Sequence, residues 1–322
     1  MIVMKKLMII LFILLLLITQ GCTTQGSEDT KEIRIAEQYG IAYAPIQIMR
    51  HQGLLEKEIP EVEVLWEQMI NTAAIREAMV ADKLDVGFMA IPPFYIGWDK
   101  GMDWKIFTGL STVPVGLVAS EDISSLKDIT SEHRIALPQP GSVQHILLSM
   151  ACDREFDDPQ KMDNLLVTLS HPDGMNALLS GNEVNAHFTA TPYLESELKN
   201  DGYNQILTGK EAFGGDYSFI IGVTTKNFHD ESPELYQALN EAVAEAIEFI
   251  NKNPEEAASI LTEYYDISEE EILEYITSED TSYSTVVKGT KKFSDFMYKT
   301  DYISKTYKDI NEIMWDNVEY EE

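Results

Sequence analysis

Apolar residues follow two different periods along this chain. KEIRIAEQYG (31–40) alternates, with Ile33 and Ile35 on one face, and predicts a strand ending at polar Glu37, Gln38 and Tyr39. IAYAPIQIMRHQGLL (41–55) carries Ile46, Met49 and Leu54 on one side and predicts a helix. VEVLWEQ (62–68) predicts a second strand. NTAAIREAMVADKL (71–84) predicts a helix opened by Asn71 or Thr72, both good N-caps. DVGFMAI (85–91) predicts a third strand, followed by Pro92 and Pro93, and WKIFTGL (104–110) and VGLVAS (115–120) predict further strands. Strands alternating with helices argue for an α/β fold with parallel strands.

The pattern then restarts. RIALPQPGSVQHILLSMA (134–151) reads as strand, turn and helix, NLLVTLS (164–170) as a strand, HPDGMNALLSGN (171–182) as a helix with Pro172 near its start, and VNAHFTATPY (184–193) as a strand. With one gap, Ala78–Pro92 aligns with Ala177–Pro192, pairing Met79 with Leu178, Phe88 with Phe188 and Pro92 with Pro192. Two lobes of like construction follow from that offset. After residue 200, GGDYSFIIGVTT (214–225) predicts a return strand. SPELYQALNEAVAEAIEFINKN (232–253) predicts a long amphipathic helix capped by Ser232, and SEEEILEYI (268–276) a helix with a Ser268/Glu271 capping box. The remainder reads as short helices that pack behind the first lobe.

The N-terminus bears on compartment. MIVMKK precedes the apolar run Leu7–Ile18, which is short for a membrane span. A basic start, a short apolar core and a small residue describe an export signal. TQGC resembles the lipobox of bacterial and archaeal lipoproteins, although Thr19 stands where that motif usually has Leu. The resemblance implies cleavage after Gly21, a lipid on Cys22 and a polar tether over 22–32; a retained anchor helix is the competing reading. Both place the body outside the cytoplasm beside a membrane. The only other cysteine, Cys152, lies on an apolar helical face, where a buried thiol is expected rather than a nucleophile. The net charge of −30 argues against nucleic acid as a partner.

In open α/β sheets ligands bind beyond the carboxyl ends of strands, where helix N-termini point. That rule gathers Gln38, Tyr39 and Tyr43; Asn71 and Thr72; Ala90, Ile91 and Pro92; Ser111 and Thr112; Gly141 to His145; Thr189 and Thr191; and Asp216 and Tyr217. Most are amide, hydroxyl or aromatic side chains. The stretches EQYGIAYAPIQIMRHQGLLEK, NTAAIREAMVADKLDVGFMAIPPF, KIFTGLSTVPVGLVAS, ALPQPGSVQHILL and AHFTATPYLESEL, in this order, resemble the substrate-binding proteins of ABC importers in the nitrate/sulfonate/taurine/bicarbonate group. The resemblance implies a two-lobed, periplasmic-binding-protein-like α/β fold of the type II clam-shell kind. Lobe one would span 33–114 and 215–322, with the C-terminal helices packed on it, and lobe two 115–214, with crossings near 111–118 and 214–222. It also implies ligand contacts at Gln38, Tyr39, Asn71, Thr72, Ile91, Pro92, Ser142, Val143 and Gln144. Where many members have Trp-Glu-Pro-Tyr, this chain has Thr189-Ala190-Thr191-Pro192-Tyr193.

Ser142 is expected to cap a helix whose first amides, on Val143 and Gln144, hold an anionic group or a ring carbonyl. His145 and His187 are candidates for ligand contact, whereas His171 reads as an ordinary hydrogen-bonding residue. The histidines lack metal-ligand spacing, so no metal and no cofactor are expected. None of the five arginines falls at a strand's carboxyl end, which disfavours a strongly anionic cargo and leaves room for a pyrimidine-like heterocycle. The expected function is non-enzymatic: capture of a sulfonate-, nitrate- or pyrimidine-like solute by a monomer, then delivery to a membrane permease and its ATPase. The alternatives are a ligand sensor for a membrane receptor and an enzyme resembling thiamine-pyrimidine synthases, which use a lysine and a histidine with a pyridoxal cofactor. No lysine falls in the predicted cleft loops.

Overall fold

The computed structural model describes residues 31–181 and 183–322. The export signal, Cys22 and all but the end of the tether lie outside them. In chain order the elements are β1 (Lys31–Glu37), α1 (Ala44–Gln52), α2 (Leu54–Glu58), β2 (Val62–Gln68), α3 (Thr72–Val80), β3 (Val86–Ala90), α4 (Ile91–Asp99), β4 (Trp104–Thr112) and β5 (Val115–Ser120). Then come β6 (Ile135–Leu137), α5 (Val143–Phe156), β7 (Leu166–Thr168), α6 (His171–Leu179), β8 (Ala186–Ala190), α7 (Tyr193–Leu198), β9 (Tyr203–Thr208) and α8 (Gly209–Phe213). The rest are β10 (Ile220–Thr225), α9 (Lys226–Glu231), α10 (Pro233–Lys252), α11 (Pro254–Leu261), α12 (Glu269–Ile276), β11 (Ser282–Tyr283), β12 (Val287–Lys288), α13 (Thr290–Lys299) and β13 (Tyr320–Glu321).

Two α/β lobes result, each built on one sheet. The first sheet has six strands in the order β11-β4-β10-β3-β1-β2, and the second has five in the order β7-β6-β8-β5-β9. The chain leaves the first sheet after Thr112, enters the second at Val115, and returns at Ile220. These crossings break the expected all-parallel pattern. β1 and β3 run parallel, but β10 lies antiparallel to both β3 and β4 because it enters its sheet from the other lobe. The repeat seen in sequence is structural: α3–β3 and α6–β8 are each a nine-residue helix followed by a fully buried five-residue strand.

Local departures have simple causes. The helix expected over 41–55 breaks at Gly53, whose left-handed backbone (φ 59°) ends α1 and opens α2. Ile91, read as the end of the third strand, instead opens helix α4 (IPPFYIGWD), whose prolines sit in the first turn, where no backbone N–H is needed. Ser232 stands at the N-cap of α10 but makes no side-chain cap bond. The Ser268/Glu271 capping box is formed. α10 packs on α1 and α2, and α13 on α4. The C-terminal segment also reaches the second lobe: Tyr302 Oη lies 2.7 Å from Ser149 Oγ, and Phe293 packs on Phe213. No helix of the described residues is long and apolar enough to cross a membrane.

Candidate functional site

Helices α3 and α5 start on opposite lobes and both direct their N-termini into one pocket. In the first lobe, Asn71 caps α3, its Oδ1 accepting from Ala74 N–H at 3.0 Å. Thr72 Oγ1 accepts from Gln38 Nε2 at 3.0 Å, which ties the end of β1 to the helix start. In the second lobe, Ser142 caps α5 by accepting from His145 N–H at 3.3 Å. The amides of Val143 and Gln144 have no acceptor among the described residues, as expected at a helix start. Ser142→Ala should therefore lower stability by about 1 kcal/mol, read from denaturant unfolding, through loss of the cap alone.

The pocket is walled by Gln38, Tyr39, Tyr43, Ile70, Thr72, Ala90, Pro93, Phe219 and Ile220 from one lobe, and by Pro138, Gln139, Ser142, Val143, Gln144 and His171 from the other. Its volume is about 30 Å³, room for about two waters. Among the described residues, no lysine, arginine, aspartate or glutamate lines it. Tyr43 is a buried residue that lines the pocket. C-terminal tyrosines fix the loop that carries Tyr39 and Tyr43: Tyr265 Oη donates to Gly40 O (2.9 Å) and Tyr283 Oη to Ile41 O (3.0 Å).

His171 is the titratable group of the pocket. Gln144 Nε2 lies 3.3 Å from its Nε2, and Thr189 Oγ1 lies 3.1 Å from its Nδ1. An amide N–H can only donate, so Nε2 accepts and Nδ1 carries the proton toward Thr189. Burial, reinforced by nearby His187, pushes His171 down to about 3, so the ring is neutral at ordinary pH. The pocket thus offers donors, acceptors and aromatic faces but no full charge. The fields of two helix N-termini supply its positive potential.

Several expected contacts lie elsewhere. His145 turns away from the pocket: its Nδ1 accepts from Gly141 N–H (2.8 Å) and its Nε2 faces Asp163 Oδ1 (3.0 Å). Three residues into α5, it has rotated past the face that Val143 and Gln144 present. His187 is fully buried behind the pocket, 2.5 Å from Glu197 Oε1. Thr189 reaches the pocket only through His171, and Thr191 bonds Pro114 O and Glu195. Asn71, Ile91, Pro92 and Ser111 are not among the lining residues; Asn71 is committed to its cap, and Pro93 lines where Pro92 was expected. Tyr217 packs on Phe213 and faces a separate cavity of about 490 Å³ beside the crossings. Sequence reasoning missed His171 and Gln139 as lining residues. Both follow strand ends, His171 after β7 and Gln139 after β6, so the rule that gathered the other loops covers them too. Cys152 is buried, its thiol pushed up to about 12 by burial and nearby Asp163 and Asp158, as befits a core residue. Among the described residues no three potential metal ligands converge.

Two sheet-based lobes that the chain crosses between, with a pocket walled by both, define the architecture of two-lobed binding proteins. The chain belongs to the NMT1-like family, whose model matches residues 26–263. Solved structures share the fold. The alkanesulfonate-binding protein of Xanthomonas axonopodis pv. citri, bound to MOPS, is 16% identical with a TM-score of 0.73, over 88% of this chain and 98% of that one. The periplasmic aliphatic sulphonate binding protein of Escherichia coli is 20% identical with a TM-score of 0.68, over 91% and 94%. The periplasmic nitrate-binding protein of Synechocystis PCC 6803 is 18% identical with a TM-score of 0.64, over 76% and 70%. No curated protein matches the chain by sequence.

Proposed function

We propose that this protein is the solute-capturing component of an ABC importer, held outside the cytoplasm by a lipid on Cys22 and acting as a monomer. The observation that carries this reading is the meeting of two helix N-termini from opposite lobes at one pocket with no charged side chain among its described lining residues. Helix ends hold an oxyanion or a carbonyl oxygen without a countercharge, and Tyr39, Tyr43 and His171 offer ring faces to a planar group. At about 30 Å³ the pocket admits an organic solute only after the lobes part. Solute binds the open form, bonds to both lobes, and shifts the population toward closure by its differential affinity. The closed form is then presented to a permease and its ATPase. The names of the similar structures point to sulfonate- or nitrate-like cargo; the scarcity of cationic side chains here extends the range to pyrimidine-like heterocycles. Among the described residues the lining contains a histidine but no lysine, which favours capture over pyridoxal-type chemistry.

A thermal-shift panel of taurine, alkylsulfonates, nitrate, bicarbonate and hydroxymethylpyrimidine, followed by calorimetry, tests this. A true solute at 100 times its dissociation constant should stabilise the fold by about 2.7 kcal/mol. Gln144→Ala should then weaken binding by about 1–3 kcal/mol, since Gln144 both faces the pocket and orients His171. Turnover of a solute by the purified protein, or a Gln144→Ala affinity equal to wild type, would remove the reading.

A further inference from the structure

Gln139 sits on the loop between β6 and α5 and is more than nine-tenths buried. Its Oε1 accepts a hydrogen bond of 3.1 Å from Ala73 N–H, in the first turn of α3 on the opposite lobe. That amide has no acceptor within its own helix. The adjoining groups of α3 are already used: Asn71 takes the Ala74 amide, and Thr72 Oγ1 takes Gln38. The second lobe therefore supplies, through one side chain, the oxygen that the first lobe's helix start lacks. The same loop closes tightly on the first lobe at Gly141, where an added Cβ would stand 2.5 Å from Ile96 Cδ1. Gln139 also lines the pocket, so its amide occupies the point at which α3 would grip an oxygen of a bound molecule.

We propose that Gln139 is a built-in surrogate for the solute: its amide latches the lobes shut when no solute is present, and yields Ala73 N–H to a solute oxygen when one binds. The latch stands on the cross-lobe contact; its exchange with a solute rests on the capture function above. Two consequences follow. The closed form is populated before any solute arrives. A solute must also carry an acceptor oxygen (sulfonate, carboxylate or ring carbonyl) able to replace the amide oxygen, and molecules with donors only are disfavoured because they would displace that oxygen and leave Ala73 N–H unpaired.

The test compares wild type with Gln139→Met, which keeps the size and removes the acceptor, and with Gln139→Glu, read at alkaline pH so that the buried carboxyl is ionised. Amide hydrogen exchange at Ala73 and the radius of gyration from small-angle scattering are read without solute, and methanesulfonate is titrated by calorimetry. Gln139→Met should speed Ala73 exchange about tenfold, the loss of one net hydrogen bond, and expand the protein. Gln139→Glu should do the reverse, and should weaken methanesulfonate about tenfold, because a carboxylate holds a helix-end amide more strongly than a neutral oxygen does. Unchanged exchange and dimensions in Gln139→Met overturn the latch. Equal methanesulfonate affinity in wild type and Gln139→Glu overturns the exchange. If no variant binds methanesulfonate while exchange and dimensions shift as stated, the latch is upheld and the fault lies with the sulfonate part of the capture reading.

Discussion

At pH 8 the Glu37→Gln chain is expected to be about 3 kcal/mol more stable than wild type, and at pH 4.5 no more stable. Glu37 ends β1 directly before Gln38 and Tyr39 of the pocket, and is buried. Burial raises its carboxyl to about 7, with Arg50 and a long 3.4 Å bond from Gln47 Nε2 opposing. The folded chain therefore holds this proton more tightly than the unfolded chain, whose value is near 4.5. The contribution is fully present below about pH 4.5 and is lost as pH rises through about 7. Raising the carboxyl from 4.5 to about 7 corresponds to about 3 kcal/mol, and glutamine removes it by having no charge to bury. Urea unfolding of both chains at the two pH values checks this. An equal stability difference at both would show that the carboxyl titrates as if exposed.

Glu197→Ala is expected to destabilise the fold by about 3 kcal/mol, while Glu197→Gln stays within about 1 kcal/mol of wild type. His187 and Glu197 are both fully buried. Burial drives each toward its neutral form, raising the glutamate to about 9 and lowering the histidine to about 3. A protonated Glu197 can donate to His187 Nδ1, and a glutamine amide can make the same donation. Alanine instead leaves an unpaired ring nitrogen beside a void. Calorimetric melts of the two variants separate the cases: if glutamine costs as much as alanine, the pair is ionic and His187 is the donor. The pair supports β8 and α7 immediately behind His171, whose ring centroid lies 5.6 Å from that of His187, so the alanine variant should also loosen that wall of the pocket.

Much of the pocket was legible because its elements are specified locally. A polar end to β1, Asn71 and Thr72 before an apolar-periodic stretch, and Pro-Gly-Ser before HILL are short-range signals. They placed Gln38, Tyr39, Thr72, Ser142, Val143 and Gln144, which line the pocket with Tyr43. The histidines are the exception: His171, and neither His145 nor His187, lines the pocket. Their roles turn on helix phase and on what packs behind each helix. One step of about 100° along α5 separates Gln144, at the pocket, from His145, which faces Asp163. Nothing near His187 in sequence announced that Glu197 would meet it in the core.

The sequence by itself determined the alternation of strand and helix, the repeat of α3–β3 in α6–β8, the caps at Asn71, Ser142 and Ser268, and the scarcity of cationic side chains at strand ends. These follow from periodicity, capping chemistry and composition, which act over a few residues. Only the tertiary structure decided the antiparallel entry of β10, the pairing of His187 with Glu197, the hold of Tyr265 and Tyr283 on the 40–41 loop, and the bond from Gln139 to Ala73. All but the His187–Glu197 pair, which are ten residues apart, join residues far apart in the chain. A residue's neighbour across a lobe boundary is set by how whole sheets pack and cross, which local pattern does not encode.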